Sequence, residues 1–267
     1  MQQTRRGMRE HLMMFCSLTF LGSLSLGFNL LALPLKPLLP ARLGTRVGRR
    51  GIQLGYALYA WTLRAMGAYR LDLTAIDALR DGPALILAPN HPQLIDALLI
   101  LSRLPNLTCI MKSSLMRNPF LGAGARLARY IRNDSPIQMI RTAVRQLQDG
   151  SILLLFPEGT RTRHAPVNAL TASVGVIARH AGVPVQTLLV ETDSPYLGKG
   201  WPLLRCPAMP ITYRVRLGKR FDPPQDAATL VAELQRYFAA ELADAPQNVW
   251  LGHQPSGSPD AGTAWRT

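Results

Sequence analysis

The sequence predicts an α/β fold: a mixed, mostly parallel sheet flanked by helices, preceded by an N-terminal membrane-associated helical segment. Beyond about residue 70, short apolar runs alternate with longer amphipathic segments, which is the pattern of alternating strands and helices. Before residue 70, the chain is apolar and bordered by basic residues. We therefore expect a helical segment over residues 1–69, the main domain over 70–245, and a flexible tail over 246–267, where Gly, Ser, Pro and Asp accumulate.

The N-terminal segment begins with an uncharged apolar run. Leu12 to Leu35 is 24 residues without a charged side chain, and about 20 are enough for a membrane helix. A cleaved signal peptide is the competing interpretation, but its apolar region is normally shorter and is followed by small residues. Here the run ends at Pro34, Pro37 and Pro40, which we expect to stop a helix.

A second apolar stretch, Ile52 to Met66, contains three aromatic rings that suit the headgroup boundary: Tyr56, Tyr59 and Trp61. Basic residues lie on both sides of the first run. They are Arg5, Arg6, Arg9, Lys36, Arg42, Arg46, Arg49 and Arg50. This distribution favours a helical pair dipping into the cytoplasmic leaflet of the inner membrane, with the arginines facing anionic lipid and the main domain in the cytoplasm. A single full span is the alternative.

The charge balance requires an anionic partner. A net charge of +14 and a pI near 10.6 fit nucleic acid, acidic lipid or a phosphorylated substrate. Only 7% of residues are aromatic, and the densest basic cluster borders an apolar segment, which argues against nucleic acid. The cysteines, Cys16, Cys109 and Cys206, are odd in number and far apart, so they predict neither a disulfide framework nor a zinc site.

The regular elements of the main domain follow from its apolar runs and caps. Five runs are predicted strands: Ala84 to Ala88, Leu107 to Met111, Ile152 to Phe156, Val183 to Val190, and Ile211 to Leu217. One helix should begin at Ser135 as N-cap, with Pro136 at its first position, and end before Gly150. Two further helices are predicted over about Asn168 to His180 and Asp226 to Ala243.

A candidate catalytic pair lies in NHPQLID, Asn90 to Asp96, directly after the first predicted strand. If a helix begins just after Pro92, Asp96 lies in its first turn and can hold one imidazole nitrogen of His91. The other nitrogen could then accept a proton from a hydroxyl. This is the base and orienter of a catalytic triad without the serine, so the nucleophile would be the substrate's own hydroxyl. The alternative is a structural histidine beside a helix-capping aspartate.

A second candidate site follows the Ile152 to Phe156 strand, in the polar turn PEGTRT. An open α/β sheet presents its ligand site at such a strand end. Arg161 offers a fork suited to phosphate, and Gly159 allows a ligand to approach the backbone closely. The alternative is an ordinary turn with an exposed ion pair.

Together the two stretches resemble the glycerolipid acyltransferases related to 1-acylglycerol-3-phosphate acyltransferase. NHPQLID matches that family's His-x4-Asp signature, and FPEGTRT matches its Phe-Pro-Glu-Gly-Thr signature. Weaker similarity extends over roughly Leu71 to Phe221. It includes Met111-Lys112 followed by NPFLG, which is similar to the block lining the acceptor pocket, and Val183-Pro184-Val185, which is similar to the last block.

The resemblance implies acyl transfer from acyl-CoA or acyl carrier protein to the hydroxyl of a membrane lipid, most simply 1-acylglycerol-3-phosphate. It implies His91 as general base and Asp96 as its orienter. It also implies an acceptor site built by Lys112, Arg132, Glu158, Gly159, Thr160 and Arg161. No metal or prosthetic group is expected, because the thioester is already activated.

One departure affects the acceptor. Phosphatidate-forming members usually have Ile-Asp-Arg after the acceptor block, whereas this chain has Tyr130-Ile131-Arg132-Asn133-Asp134. Arg132 either replaces the missing arginine or leaves an acceptor with less charge, such as a lyso-aminolipid or a glycolipid. Two other classes compete with acyl transfer: a serine hydrolase, for which the sequence lacks the G-x-S-x-G elbow, and a non-catalytic membrane-surface protein of the same fold.

Overall fold

The computed structural model describes residues 2–251, with side chains from residue 7 onward. The helices are α1 (Gln2–Leu38), α2 (Ala41–Ala65), α3 (Asp96–Leu101), α4 (Gly122–Leu127), α5 (Pro136–Gln148), α6 (Ser173–Ala181), α7 (Ala227–Glu241) and α8 (Asn248–Leu251). The strands are β1 (Tyr69–Asp72), β2 (Ile86–Pro89), β3 (Leu107–Met111), β4 (Ile131–Arg132), β5 (Ile152–Leu154), β6 (Val185–Thr192) and β7 (Ile211–Phe221). Short 3-10 helices cover Thr74–Leu79 and Ser113–Arg117.

The strands form a seven-stranded sheet in the order β1-β7-β6-β2-β5-β3-β4. Every neighbouring pair is parallel except β6 and β7. The predicted class, a mixed and mostly parallel sheet flanked by helices, is confirmed. Every residue of β2 and β5 is buried, as required when helices cover both faces of a sheet.

Successive residues of the central strands point into two separate cores. Leu87 and Leu154 belong to a core completed by residues of α1, α2 and α3. Ile86 and Leu153 belong to a second core completed by residues of α5, α6 and α7. The sheet is therefore buried between two helical layers, and its strand ends are left for the site.

The predicted helix caps are present in the main domain. Ser135 caps α5 by accepting a hydrogen bond from the Gln138 amide, Pro136 is its first residue, and the helix ends before Gly150. The next predicted helix begins later than expected, at Ser173, because residues 168–171 bond instead to the loop after β5.

The N-terminal prolines do not stop α1 where the sequence predicted. The helix continues through Pro34 and Pro37 to Leu38, and only Pro40 separates it from α2. Both prolines lie in the last two turns, so each removes one backbone hydrogen bond near an end that is already incomplete. The result is one continuous helix, whose residues 7–38 are long and apolar enough to cross a membrane by length and composition.

Two expectations for the second helix were wrong. Arg49 does not face lipid: it is 6% exposed and donates to the Ala128 carbonyl, Asn106, Ser151 and Gln146. Tyr59 belongs to the first core, whereas Trp61 is exposed. A buried guanidinium is tolerated because all these acceptors replace its lost water. Arg49 therefore joins α2 to the main domain.

The C-terminal boundary also differs from the expected one. Residues 246–251, assigned to the flexible tail, include α8, and Leu251 is buried. The Gln247 side chain accepts a hydrogen bond from the Thr192 amide and donates to the Val190 carbonyl, both on β6. The rest of the expected tail, residues 252–267, lies outside the described residues.

Candidate active site

The two loops singled out from the sequence follow adjacent parallel strands. β2 leads to His91, β5 leads to Glu158, and the two strands are direct neighbours. β3 and β6 flank this pair in the same orientation, so Lys112 and the connection after β6 reach the same edge. The carboxyl ends of parallel strands are where such sheets bind ligands.

His91 and Asp96 form the expected hydrogen bond. Nδ1 of His91 lies 2.8 Å from Oδ2 of Asp96. Asp96 is the first residue of α3, so its carboxylate is also favoured by the positive end of the helix. Its side chain is fully buried, whereas that of His91 is 15% exposed. Because Asp96 holds Nδ1, Nε2 is the nitrogen that remains to exchange a proton with a substrate.

The Asp96 carboxylate is held by two further donors. The Gln93 amide donates to Oδ2 at 2.8 Å, and the Tyr213 hydroxyl, from β7, donates to Oδ1 at 2.7 Å. Burial and the neighbouring Asp96 charge raise the pKa of Tyr213 well above its usual value, so the phenol stays a hydrogen-bond donor. Sequence reasoning missed Tyr213. The sequence does alternate in this strand, where Ile211, Tyr213 and Val215 are buried. That alternation predicts that the Tyr213 ring points into the protein, but it does not predict which group the hydroxyl contacts.

The imidazole of His91 is fixed by packing as well as by Asp96. It stacks on the ring of Phe156, with centroids 3.9 Å apart and planes 24° apart. The Asn90 side chain bonds both the amide and the carbonyl of Val190 on β6. The loop that carries His91 is therefore held from both neighbouring strands.

Glu158 points into the protein rather than out of the turn. Its carboxylate is buried and accepts from the His91 amide at 2.9 Å, the Thr162 hydroxyl at 2.8 Å and the Asn168 amide at 2.9 Å. Burial raises the pKa of Glu158, and these hydrogen bonds and the nearby His91 partly oppose the shift. Thr162 also donates its amide to the His91 carbonyl at 2.7 Å. Glu158 thus joins the two loops, which makes it a positioning residue.

The turn beyond Glu158 brings an arginine towards the pair. Gly159 adopts a φ of +66°, which favours glycine, and a Cβ there would lie 3.2 Å from Thr171. Nη1 of Arg161 donates to the carbonyls of Leu197 and Gly198 at 2.8 and 2.9 Å. Partial burial lowers the pKa of Arg161, and the negative charge of Asp96 opposes this shift.

A cluster of four cations surrounds this turn. Lys199 donates to the Thr160 hydroxyl at 3.0 Å. Burial is the main cause of its lowered pKa, followed by the positive charges of Arg163, Lys112 and Arg161. The structure therefore brings the predicted Lys112, Thr160 and Arg161 together and adds Arg163 and Lys199. Nothing in the sequence around Lys199, which lies between glycines in the β6 to β7 connection, indicated this position.

Arg132 does not join that cluster. It pairs with Asp134 and lines a separate pocket with Lys36 and Arg117. Among the residues that the structure describes, no group of three or more His, Cys, Asp or Glu side chains could hold a metal ion.

A protein-family model, a curated relative and a solved structure that resemble this chain are all acyltransferases. Residues 70–191 match the protein-family model described as Acyltransferase. The chain is 23% identical over 190 residues to a 1-acyl-sn-glycerol-3-phosphate acyltransferase of Pseudomonas aeruginosa, covering 69% of this chain and 72% of that protein. Its fold matches the crystal structure of the 1-acyl-sn-glycerophosphate (LPA) acyltransferase PlsC of Thermotoga maritima. The TM-score is 0.67 at 18% identity, over 91% of this chain and 97% of that one.

Proposed function

We propose that this chain, whose residues 70–191 match the acyltransferase family model, moves an acyl group from a thioester to the free hydroxyl of lysophosphatidate, giving phosphatidate. The observation that carries the proposal is the position of the His91–Asp96 pair beside the cluster of Lys112, Arg161, Arg163 and Lys199. The pair can activate a hydroxyl, and the cluster can hold a phosphate on the same molecule.

The chemistry follows from the free nitrogen of His91. Nε2 takes the proton of the acceptor hydroxyl as its oxygen attacks the thioester carbonyl carbon, and Asp96 stabilises the imidazolium that forms. The tetrahedral intermediate then collapses: the carbon–sulfur bond breaks and the leaving sulfur takes the proton back. The products are an ester and a free thiol, and no protein nucleophile is required. The proposed donors are acyl-CoA or acyl carrier protein.

Support for lysophosphatidate comes from the relative's printed activity and from the intact FPEGTRT turn. The test compares lysophosphatidate with a monoacylglycerol of the same chain, which differs only by the phosphate. We expect a clear preference for lysophosphatidate in kcat/KM. A preference for the neutral lipid would overturn the phosphate assignment.

A substitution at Arg161 separates binding from structure. Arg161→Lys keeps the charge but loses the guanidinium fork, so the KM for lysophosphatidate should rise about tenfold while the thioester KM changes little. Arg236→Lys, on the exposed face of α7, is the matched control. Equal effects on both substrates would instead assign Arg161 to the support of Leu197 and Gly198.

Membrane association is supported by α1. Its exposed side chains include Leu30, Leu31 and Leu33 at 55–65% exposure, an arrangement that suits lipid better than water. We propose that α1 and α2 hold the protein at the cytoplasmic face of the inner membrane. Burial in lipid is not screened by salt, so the protein should stay with membranes through a high-salt wash. Recovery of full-length protein in the supernatant would contradict this placement.

A further inference from the structure

A second cationic pocket lies beside the site, and the mechanism above does not use it. It has a volume of about 410 Å³ and is lined by Lys36 from α1, Arg117, Arg126 and Arg129 around α4, and Arg132 from β4. Ser113, Met116 and Tyr130 complete the lining. Five cations therefore face one concave space.

Most of this charge is uncompensated. Arg132 pairs with Asp134, whereas the other four cations have no acidic partner among residues 7–251. The side chain of Arg126 donates to the Met116 carbonyl, which positions its guanidinium without neutralising it. Four unpaired cations in a concave site attract an anion, and guanidinium groups suit phosphate best.

The backbone at Arg129 supports a role in binding. Arg129 has a φ of 56° and follows the C-cap of α4, the position where helices commonly have glycine. An arginine in this left-handed conformation is strained, and such strain tends to occur at functional sites. Glycine would relieve the strain, so stability alone does not account for a cation here.

The position of the pocket relates it to the acyl donor. Arg132 ends β4, which is three strand spacings from β2 in the order β2-β5-β3-β4. At the usual ~4.8 Å per spacing, the ends of the two strands are about 14 Å apart.

We propose that this pocket binds the phosphate groups on the carrier arm of the acyl donor. The inference rests on the proposed acyl transfer. That reaction has two anionic substrates, and two separate cationic clusters lie at one edge of the sheet. The cluster at Arg161 takes the phosphate of the acceptor, and the pocket at Arg129 takes that of the donor. An extended pantetheine arm spans the distance between phosphate and thioester.

The test compares two donors: acyl-CoA, and the same acyl group on pantetheine, which lacks both the phosphates and the adenosine of CoA. The variant is the double substitution Arg117→Gln with Arg129→Gly, and Arg236→Gln is the control. Because charge-assisted hydrogen bonds are lost, the KM for acyl-CoA should rise roughly tenfold or more in the double variant. The KM for acyl-pantetheine should stay within about twofold of the wild-type value. Relief of strain at residue 129 should keep the melting temperature of Arg129→Gly alone at or above that of wild type.

Three outcomes would overturn the proposal: equal effects on both donors, a raised KM for lysophosphatidate alone, or an effect seen only when anionic lipid is added to neutral micelles. The second would assign the pocket to the acceptor, and the third to the membrane surface.

If the wild-type protein transfers acyl groups to no lipid, the proposed function fails. Titration with free CoA then decides the inference separately: wild type should bind CoA and the double variant should bind it about tenfold more weakly. Equal affinities would refute the phosphate site.

Discussion

The two loops that build the site differ in where their acidic residue is directed. In the loop of residues 90–95, His91 is hydrogen-bonded to Asp96, the residue that follows the loop, and Nε2 of His91 is left to face a substrate. In the loop of residues 156–168, Glu158 is turned inward and bonds the first loop. The first loop is equipped for proton transfer, and the second holds it in place while presenting Arg161.

This difference shows that two neighbouring signature motifs can have unequal roles in chemistry. In the proposed mechanism Asp96 orients the ring that exchanges the proton, so a change there should alter turnover directly. Glu158 acts through the backbone of His91, so a change there should alter turnover only through position. Substitutions ranked by size of effect can separate these roles.

The largest effect should follow loss of the imidazole. His91→Ala should reduce kcat by about 10² to 10⁴, the usual contribution of a general base, while the protein stays folded. His180→Ala, an exposed histidine on α6, should leave kcat near the wild-type value. Steady-state rates and circular dichroism of both variants are the measurements. Substantial turnover by folded His91→Ala protein would end the base assignment.

A smaller effect should follow loss of the Tyr213 hydroxyl. Tyr213→Phe leaves Oδ1 of the buried Asp96 without its donor, which should cost roughly 1–3 kcal/mol of stability and lower kcat about tenfold, with the acceptor KM unchanged. Tyr237→Phe also removes a tyrosine hydroxyl, one that accepts an exposed hydrogen bond from the Lys219 amide at 2.8 Å, and should not lower kcat. If both variants lost activity in proportion to stability, Tyr213 would have no role in positioning Asp96.

The smallest effect should come from the second loop. In Glu158→Gln, one amide oxygen can still accept, but the amide nitrogen cannot accept from the Asn168 amide. We expect kcat to fall about threefold, the effect of weakening one hydrogen bond worth roughly 0.5–1.5 kcal/mol. Glu233→Gln, an exposed glutamate on α7, is the control.

The same variant has a distinct pH signature. Burial raises the pKa of Glu158 above its ordinary value of 4.5. The residue therefore stabilises the fold most below that pH, and this contribution is lost as the pH rises through the raised pKa. The melting temperature of wild type should fall relative to that of Glu158→Gln over this range. If the difference in melting temperature between the two proteins were the same at every pH, the pKa of Glu158 would not be raised.

The sequence contained enough to predict five of the seven strands, the helix at Ser135 and the His91–Asp96 bond, because each depends on local pattern or short spacing; the short edge strands β1 and β4 were not predicted. Tyr213 could not be found this way: it lies 117 residues from Asp96, and its contact depends on how β7 is placed relative to α3. The inward direction of Glu158 was equally hidden, since a polar turn does not specify which way each side chain points.

The N-terminal errors have a different origin. Arg49 was expected at lipid because it belongs to the basic residues that border the first apolar run, but its four acceptors come from segments far from it in the chain. Pro34 and Pro37 were expected to stop a helix, but the penalty of proline is small where the end of the helix has few bonds left to lose. In both cases, tertiary context and position within the element outweighed residue type.

In the proposed mechanism, the acyl group passes directly to the acceptor hydroxyl and is never bound covalently to the protein. The most direct test mixes purified enzyme with acyl-CoA in the presence and in the absence of lysophosphatidate. Thiol release and phosphatidate formation should be equal in amount and should both require the lipid, and the intact mass of the protein should stay unchanged. Thiol release without lipid, or a protein mass increased by one acyl group, would contradict the use of the substrate's own hydroxyl as nucleophile.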